Sequence, residues 1–96
     1  MTSEQTESIL SMLKIDLGIR STTAYDERLT QYLESAEESI AEEGVTLDLD
    51  KPKDCQLVVM YAAWTWRKRD SGEGMPRMLR YALNNRVFSE KVRGNG

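Results

Sequence analysis

The residue types that most often carry enzymatic chemistry are scarce in this chain of 96 residues. It has no histidine, the side chain that most often serves as a general base or metal ligand. Its single cysteine, Cys55, stands between Asp54 and Gln56, and neither is a cation that would lower the pKa of the thiol. One cysteine forms no internal disulfide, which fits a reducing compartment. We therefore expect a structural thiol in a protein that is not an enzyme and binds no cofactor.

Two other stretches contain residue types that often bind phosphate or metal ions, but their spacing does not match that of a known binding motif. The segment 70–74, Asp-Ser-Gly-Glu-Gly, lacks the Gly-Lys-Ser/Thr ending of a phosphate-binding P-loop. It indicates a turn, in which we expect Gly72 and Gly74 to adopt conformations that other residues reach only at a cost. A row of carboxylates lies earlier in the chain, at Glu34, Glu37, Glu38, Glu42 and Glu43. Because they do not follow the spacing of a calcium loop, we expect a solvated helix face and no metal site.

Charge divides the chain into halves of opposite sign, although the net charge is only −3. Residues 1–50 carry three basic and twelve acidic residues, a net of −9, and residues 51–96 carry ten basic and four acidic, a net of +6. One interpretation is that acidic helices pair with basic ones inside the molecule. Another is that the acidic surface of one copy meets the basic surface of the next, or that the basic surface meets nucleic acid.

The most apolar stretch, residues 57–69 (LVVMYAAWTWRKR), must organise the elements that carry these charges. Nine of its first ten residues are apolar, and at helical period they cover more than one face, so the helix must be surrounded. The apolar part of this stretch is ten residues long, which is half of the roughly 20 apolar residues that a membrane-spanning helix requires. The pattern predicts a central core helix over about residues 50–70, with Asp50 as its cap and Pro52 in its first turn.

Three further helices are predicted, over residues 2–17, 23–43 and 76–87. Thr2 with Gln5 fits a capping box, and Gly18 fits a helix stop. Met78 lies among the residues assigned to the apolar face of the last helix. The stretch 45–50 is predicted to be a short extended segment or a loop.

The sequence thus predicts an all-α fold: a small four-helix domain with a central apolar helix and a mobile C-terminal tail. The whole chain, residues 1–96, forms one domain that is ordered over about residues 3–89. The predicted core residues are Leu29, Leu33, Leu57, Tyr61, Trp64, Leu79 and Leu83.

From Tyr61 to Arg86 the sequence reads YAAWTWRKRDSGEGMPRMLRYALNNR: an apolar helix with a basic end, a glycine-rich turn, Met75-Pro76, and a Leu/Arg-rich helix. Upstream, Tyr25-Asp26-Glu27-Arg28-Leu29 opens a long helix that ends at Gly44. In the order and spacing of these pieces, over about residues 6–90, the chain resembles the small head–tail connector (head-completion, DNA-packaging) proteins of tailed bacteriophages. None of the pieces is diagnostic alone.

That resemblance implies a mainly helical subunit of the phage neck. Such proteins form a ring, usually twelvefold, below the portal protein; the ring extends the DNA channel, helps to retain packaged DNA and docks the next connector or tail protein. The implied partners are other copies of the chain, the portal, the downstream protein and DNA passing non-specifically, with no membrane. The implied location is the virion, and the host cytoplasm during assembly. The polar, acidic N-terminal stretch also lacks the apolar segment of a signal peptide.

A ring requires a heterologous contact, in which one patch meets a different patch of the next copy. The candidate residues for it are Glu34, Glu37, Glu38, Arg67, Arg69, Arg77 and Arg80. Some of these charges are equally well explained as solvated side chains, each contributing little. The alternative function is a small helical DNA-binding protein of the helix-turn-helix type. Against it, residues 76–87 offer few polar side chains to read bases, and the chain as a whole is acidic.

Overall fold

A computed structural model describes residues 1–19 and 21–95, and this part of the chain contains four α-helices and no strand. They are α1 (Ser3–Leu17), α2 (Asp26–Glu42), α3 (Pro52–Ser71) and α4 (Arg77–Asn95). The predicted all-α four-helix fold is therefore confirmed. None of the helices in the described ranges is long and apolar enough to cross a bilayer.

Helix α1 begins and ends as its sequence predicts. The Thr2 hydroxyl accepts a hydrogen bond from the Gln5 N–H at 3.1 Å, and the Gln5 side chain accepts one from the Thr2 N–H at 2.9 Å. This capping box satisfies two N–H groups that the helix itself leaves unpaired. At the other end Gly18 has φ 73°, a left-handed conformation that glycine adopts without steric cost.

The starts of α2 and α3 differ from the prediction. Helix α2 begins at Asp26, three residues after the predicted Thr23, and the preceding Tyr25 provides no side-chain cap. Asp50 does not cap α3, because Lys51 occupies the cap position and gives no side-chain hydrogen bond. The Asp50 carboxylate instead accepts a hydrogen bond from Gln5 at 3.1 Å and so ties this loop to α1.

Helix α4 runs to Asn95 instead of ending near residue 87 as predicted. Glu90 explains part of the extension: its carboxylate lies 3.8 Å from Arg86 and 3.9 Å from Arg93, one helical turn to either side. The same carboxylate accepts a hydrogen bond from the Thr46 N–H at 3.2 Å. The mobility of the C-terminal tail stays a prediction.

Helix α3 lies at the centre, packed against each of the other three, while α1 and α2 also pack against each other. Helix α4 is peripheral and packs chiefly against α3. The result is a flat molecule with principal dimensions of 47 × 31 × 17 Å. In a molecule this thin, the side of a peripheral helix that faces away from its neighbour is free.

The core lies between α1, α2 and the inner side of α3 and extends to α4. Five of the predicted core residues are buried: Leu29, Leu33, Leu57, Leu79 and Leu83. Tyr61, which lies beside Tyr32 and Ala36 of α2, and Trp64 pack against the edge of the core and are only half-buried. Trp66, two residues further on, is 7% exposed and takes the core position instead.

The connection from Gly44 to Lys51 is a loop, so the extended alternative does not apply. Val45 is buried in the core, and Leu47 and Leu49 pack against it in part. The loop therefore covers the end of the bundle between α2 and α3 and provides backbone groups to which α4 binds.

Candidate assembly surfaces

Arg86 joins the inner side of α4 to the rest of the molecule. Its guanidinium forms an ion pair with both oxygens of Asp54, in the first turn of α3, and donates to the Thr46 carbonyl at 3.1 Å. Asp54 is only 3% exposed, and it also accepts a hydrogen bond from the Asp48 N–H at 2.7 Å. One basic side chain thus connects α4, α3 and the loop.

The Asp54 carboxylate is ionised in this setting. Burial alone would raise its pKa, but the hydrogen bonds from Arg86 and the Asp48 N–H, together with the charges of Arg86 and Lys51, outweigh burial and lower the pKa. A buried charge with a partner of opposite sign is stable, whereas the same charge left alone is costly. The position of α4 therefore depends on this pair.

Two of the predicted interface cations form ion pairs inside the molecule. The Arg80 guanidinium lies 2.9 Å from the Glu43 carboxylate at the end of α2. The Arg67 guanidinium lies 3.2 Å from Asp16 in α1. Part of the charge opposition between the two halves is thus satisfied intramolecularly, although these pairs are exposed enough to contribute little stability.

The other two predicted cations differ from each other. Arg69 stacks on Trp66, with its guanidinium carbon 3.7 Å from the ring centroid, so its role is to cover the core tryptophan. Arg77, in the first turn of α4, is exposed. Within residues 1–19 and 21–95 it has no carboxylate within ion-pair distance. Of the four basic candidates, Arg77 is the one whose charge is directed wholly to solvent.

The three predicted acidic residues lie together along a shallow groove. Glu34 and Glu38 are exposed, and Glu37 lies 3.9 Å from the N-terminal amine. The groove runs between the second half of α2 and the loop that follows, and its remaining lining is Ala41, Gly44, Val45, Thr46 and Leu47. Carboxylates thus form one rim of the groove, beside the apolar side chains of Ala41 and Leu47.

The outer side of α4 carries an apolar stripe that sequence reasoning missed. Met78 is 74% exposed, Tyr81 58%, Phe88 69% and Val92 56%, and Asn85 is exposed between them. These five residues, hereafter the α4 stripe, follow one another at spacings of three, four, three and four, which places them on one face of the helix. Assigning Met78 to the core side was wrong, because Leu79 and Leu83 define the buried face about 100° away.

The Cys55 thiol packs inside the protein and forms a hydrogen bond to the backbone. Its sulfur is half-buried and donates to the Leu49 carbonyl at 3.1 Å. Burial raises the pKa of the thiol, and the nearby charges of Asp54 and Asp50 raise it further. The thiol is therefore protonated at neutral pH. No cluster of three or more metal-ligating side chains occurs in the part of the chain that the structure describes.

Comparison with known proteins gave no relative: no family model, no curated protein and no solved structure matches the chain.

Proposed function

We propose that this protein is a structural adaptor subunit of the tailed-phage neck. In this role it forms a ring below the portal, the twelvefold ring usual for such proteins. The ring extends the DNA channel, helps to retain packaged DNA and docks the next connector or tail protein. The resemblance of residues 6–90 to head–tail connector proteins suggests the role, and the surfaces of the domain support it.

The observation that carries the proposal is the α4 stripe. Four large apolar side chains and one amide stand exposed along a helix whose opposite face is already anchored in the core. Monomeric proteins rarely expose contiguous apolar surface of this kind, which marks a contact with another protein. A protein that acts through assembly requires such a surface.

The distribution of charge supports a subunit that has two different contact surfaces. The groove beside α2 has an acidic rim, whereas the solvent side of α4 carries the cations Arg77 and Lys91. Surfaces of opposite sign on one chain favour head-to-tail association, from which rings are built. Their charges select the orientation, and apolar contacts supply most of the affinity.

The alternative, a DNA-binding helix-turn-helix protein, fits these surfaces less well. Helix α4 would be its recognition helix, and such a helix presents polar side chains to the base edges. The exposed side of α4 instead presents Met78, Tyr81 and Phe88. Binding to one duplex sequence with a steep salt dependence would favour this alternative over the adaptor.

The test of the adaptor role is to disrupt the coding sequence of this chain in the genome that carries it. Electron microscopy of the resulting particles should show DNA-filled heads without attached tails. Supplying the intact chain in trans should restore tailed particles, which excludes an effect on neighbouring genes. Normal tailed particles without the chain would overturn the proposal.

Light scattering after size-exclusion chromatography, over a series of protein concentrations, provides a second measurement on the purified protein. Negative-stain images of any large species should show closed rings. Open filaments in their place would contradict a ring-forming subunit.

A further inference from the structure

We infer that the α4 stripe of one copy docks into the acidic-rimmed groove beside α2 of a second copy. The inference rests on the proposed function, because the same contact repeated from copy to copy is what would close a ring. It assigns the two halves of the contact to defined surfaces: the stripe from Met78 to Val92, and the groove lined from Glu34 to Leu47.

The charge of α4 argues against pairing of two identical stripes. Arg80 and Arg86 are paired inside the molecule, and the exposed cations of the helix are Arg77, Lys91 and Arg93. Two such helices side by side would bring like charges together around the apolar contact, which is destabilising. An acidic partner surface is therefore favoured, and the chain provides one in the groove rim of Glu34, Glu37 and Glu38.

The two surfaces are formed by different residues of the molecule, as a head-to-tail contact requires. Within one molecule α4 reaches α2 through the ion pair of Arg80 with Glu43. Glu34 lies nine residues before Glu43, which at about 100° per residue places it on the opposite side of α2. The α4 of one copy thus reaches its own α2 at Glu43, just past the end of that helix, and leaves Glu34 and Glu38 exposed for the next copy.

Size complements charge in this contact. Phe88 and Tyr81 are the largest exposed side chains of the stripe, and aromatic side chains of about 150–250 Å² are typical anchors of protein interfaces. The groove offers them the apolar side chains of Ala41, which is exposed, and Leu47, which is half-buried. Arg77 and Lys91, beside the stripe, are then placed to meet the acidic rim.

Thiol cross-linking of purified full-length chains tests this pairing. Cys55→Ser first removes the native thiol. One variant then carries Asn85→Cys in the stripe, and a second carries Ala41→Cys in the groove. A short bismaleimide added to the mixture should give covalent heterodimers, and a chain carrying both cysteines should give a ladder of higher species.

The cross-linking experiment has two kinds of control: each cysteine variant by itself, and a variant with a cysteine outside the groove. Asn85→Cys alone and Ala41→Cys alone should give no covalent dimer. Ser11→Cys, on the exposed side of α1, replaces the groove cysteine as control and should give severalfold less heterodimer with the stripe variant. Adding Phe88→Ser to the stripe variant should lower the heterodimer yield severalfold, whereas Ser89→Ala should leave it unchanged.

Two results would overturn the inference. Cross-linking of Asn85→Cys to itself would mean that identical stripes pair, and equal yields with Ala41→Cys and Ser11→Cys would mean that the groove is not the partner surface. Either result together with tailless heads in the disruption experiment would remove this contact and leave the adaptor role standing. The expected cross-links together with normal tailed particles would instead remove the adaptor role and leave the contact.

Discussion

The bundle of α1, α2 and α3 and the peripheral helix α4 use apolar side chains in different ways. In the bundle, α2 shows one apolar face, with Leu29, Leu33, Ala36 and Ile40 buried, and an opposite face rich in carboxylates. Helix α4 is apolar on two opposite sides. Leu79 and Leu83 are buried on one side, while Tyr81 and Phe88 are exposed on the other.

This difference separates the two purposes that an apolar residue can serve. The bundle satisfies its own apolar faces, so its surface residues are free to be charged. Helix α4 packs chiefly against one helix and has one free side, and the mostly exposed apolar residues on that side contribute little to the stability of the monomer. An apolar stripe that the fold does not bury indicates a contact between molecules.

Replacement of the buried tryptophan should give the largest loss of stability. Trp66 is 7% exposed, makes edge contacts with Tyr25 and Tyr32, and is covered by Arg69. Trp66→Ala should lower the free energy of unfolding by about 3–5 kcal/mol. The half-buried Trp64 is the matched comparison, and Trp64→Ala should cost only about 1–2 kcal/mol. Chemical denaturation measures both, and equal losses would mean that the two sides of α3 do not differ as described.

Removal of the Asp54–Arg86 ion pair, which joins α4 to the bundle, should give the second-largest loss of stability. Asp54→Asn leaves Arg86 without its main partner and should cost about 2–3 kcal/mol, somewhat less than for a fully buried pair because Arg86 is partly exposed. The exposed pair of Arg67 with Asp16 provides the control, and Arg67→Gln should change stability by less than about 1 kcal/mol.

The same pair should respond to acid. The pKa of Asp54 is lower in the folded protein than in the unfolded chain. Its contribution is therefore complete above an unfolded pKa of about 3.9 and is lost as the pH falls through the folded value. The difference in stability between the wild-type protein and Asp54→Asn should shrink below about pH 4. A difference that stays constant from pH 7 to pH 3 would contradict the assignment.

Substitutions in the turn between α3 and α4 should reduce stability by a smaller amount, and only one of the two glycines should be sensitive. Gly72 has φ 67°, so Gly72→Ala should cost about 1 kcal/mol through backbone strain alone, since an added Cβ has no atom within 4 Å. Gly74 does not have a positive φ, contrary to the prediction for both glycines. Gly74→Ala should therefore be neutral within about 0.5 kcal/mol. Thermal unfolding of the two variants compares them directly.

Substitution of an exposed residue on the outer side of α4 should give the smallest change in folding stability. Phe88→Ser should change the unfolding free energy of the monomer by no more than about 0.5 kcal/mol, since the side chain is 69% exposed. Leu83→Ala, on the buried side of the same helix, should cost about 2–5 kcal/mol. A large loss of stability in Phe88→Ser would show that Phe88 supports the monomer and would remove the contrast between the two sides of α4.

Local signals in the sequence were enough to predict the four helices and most of the core. The capping box of Thr2 with Gln5, the stop at Gly18 and the apolar period of α2 each involve residues within a few turns of one another. Such signals act over the range that a sequence pattern can describe. The same holds for the division of charge, which is a property of composition.

The residues that depend on distant partners could not be placed in this way. Asp54 and Arg86 are 32 positions apart, and nothing in the sequence near either one indicates that they meet. Trp64 and Trp66 both belong to an apolar stretch, and only the packing of α1 and α2 on one side of α3 decides which one is buried. The predicted candidates Arg67 and Arg80 are paired within the monomer for the same reason.

The sequence by itself determined which segments are helical and that the two halves of the chain carry opposite charge, because both depend on neighbouring residues and on composition. Only the tertiary structure decided that the apolar residues of α4 divide between a buried and an exposed side. The physical reason is that α4 lies at the edge of a flat bundle, where one neighbouring helix covers one of its faces. The spacing of Met78, Tyr81, Phe88 and Val92 is visible in the sequence, but their exposure follows from which helices pack together.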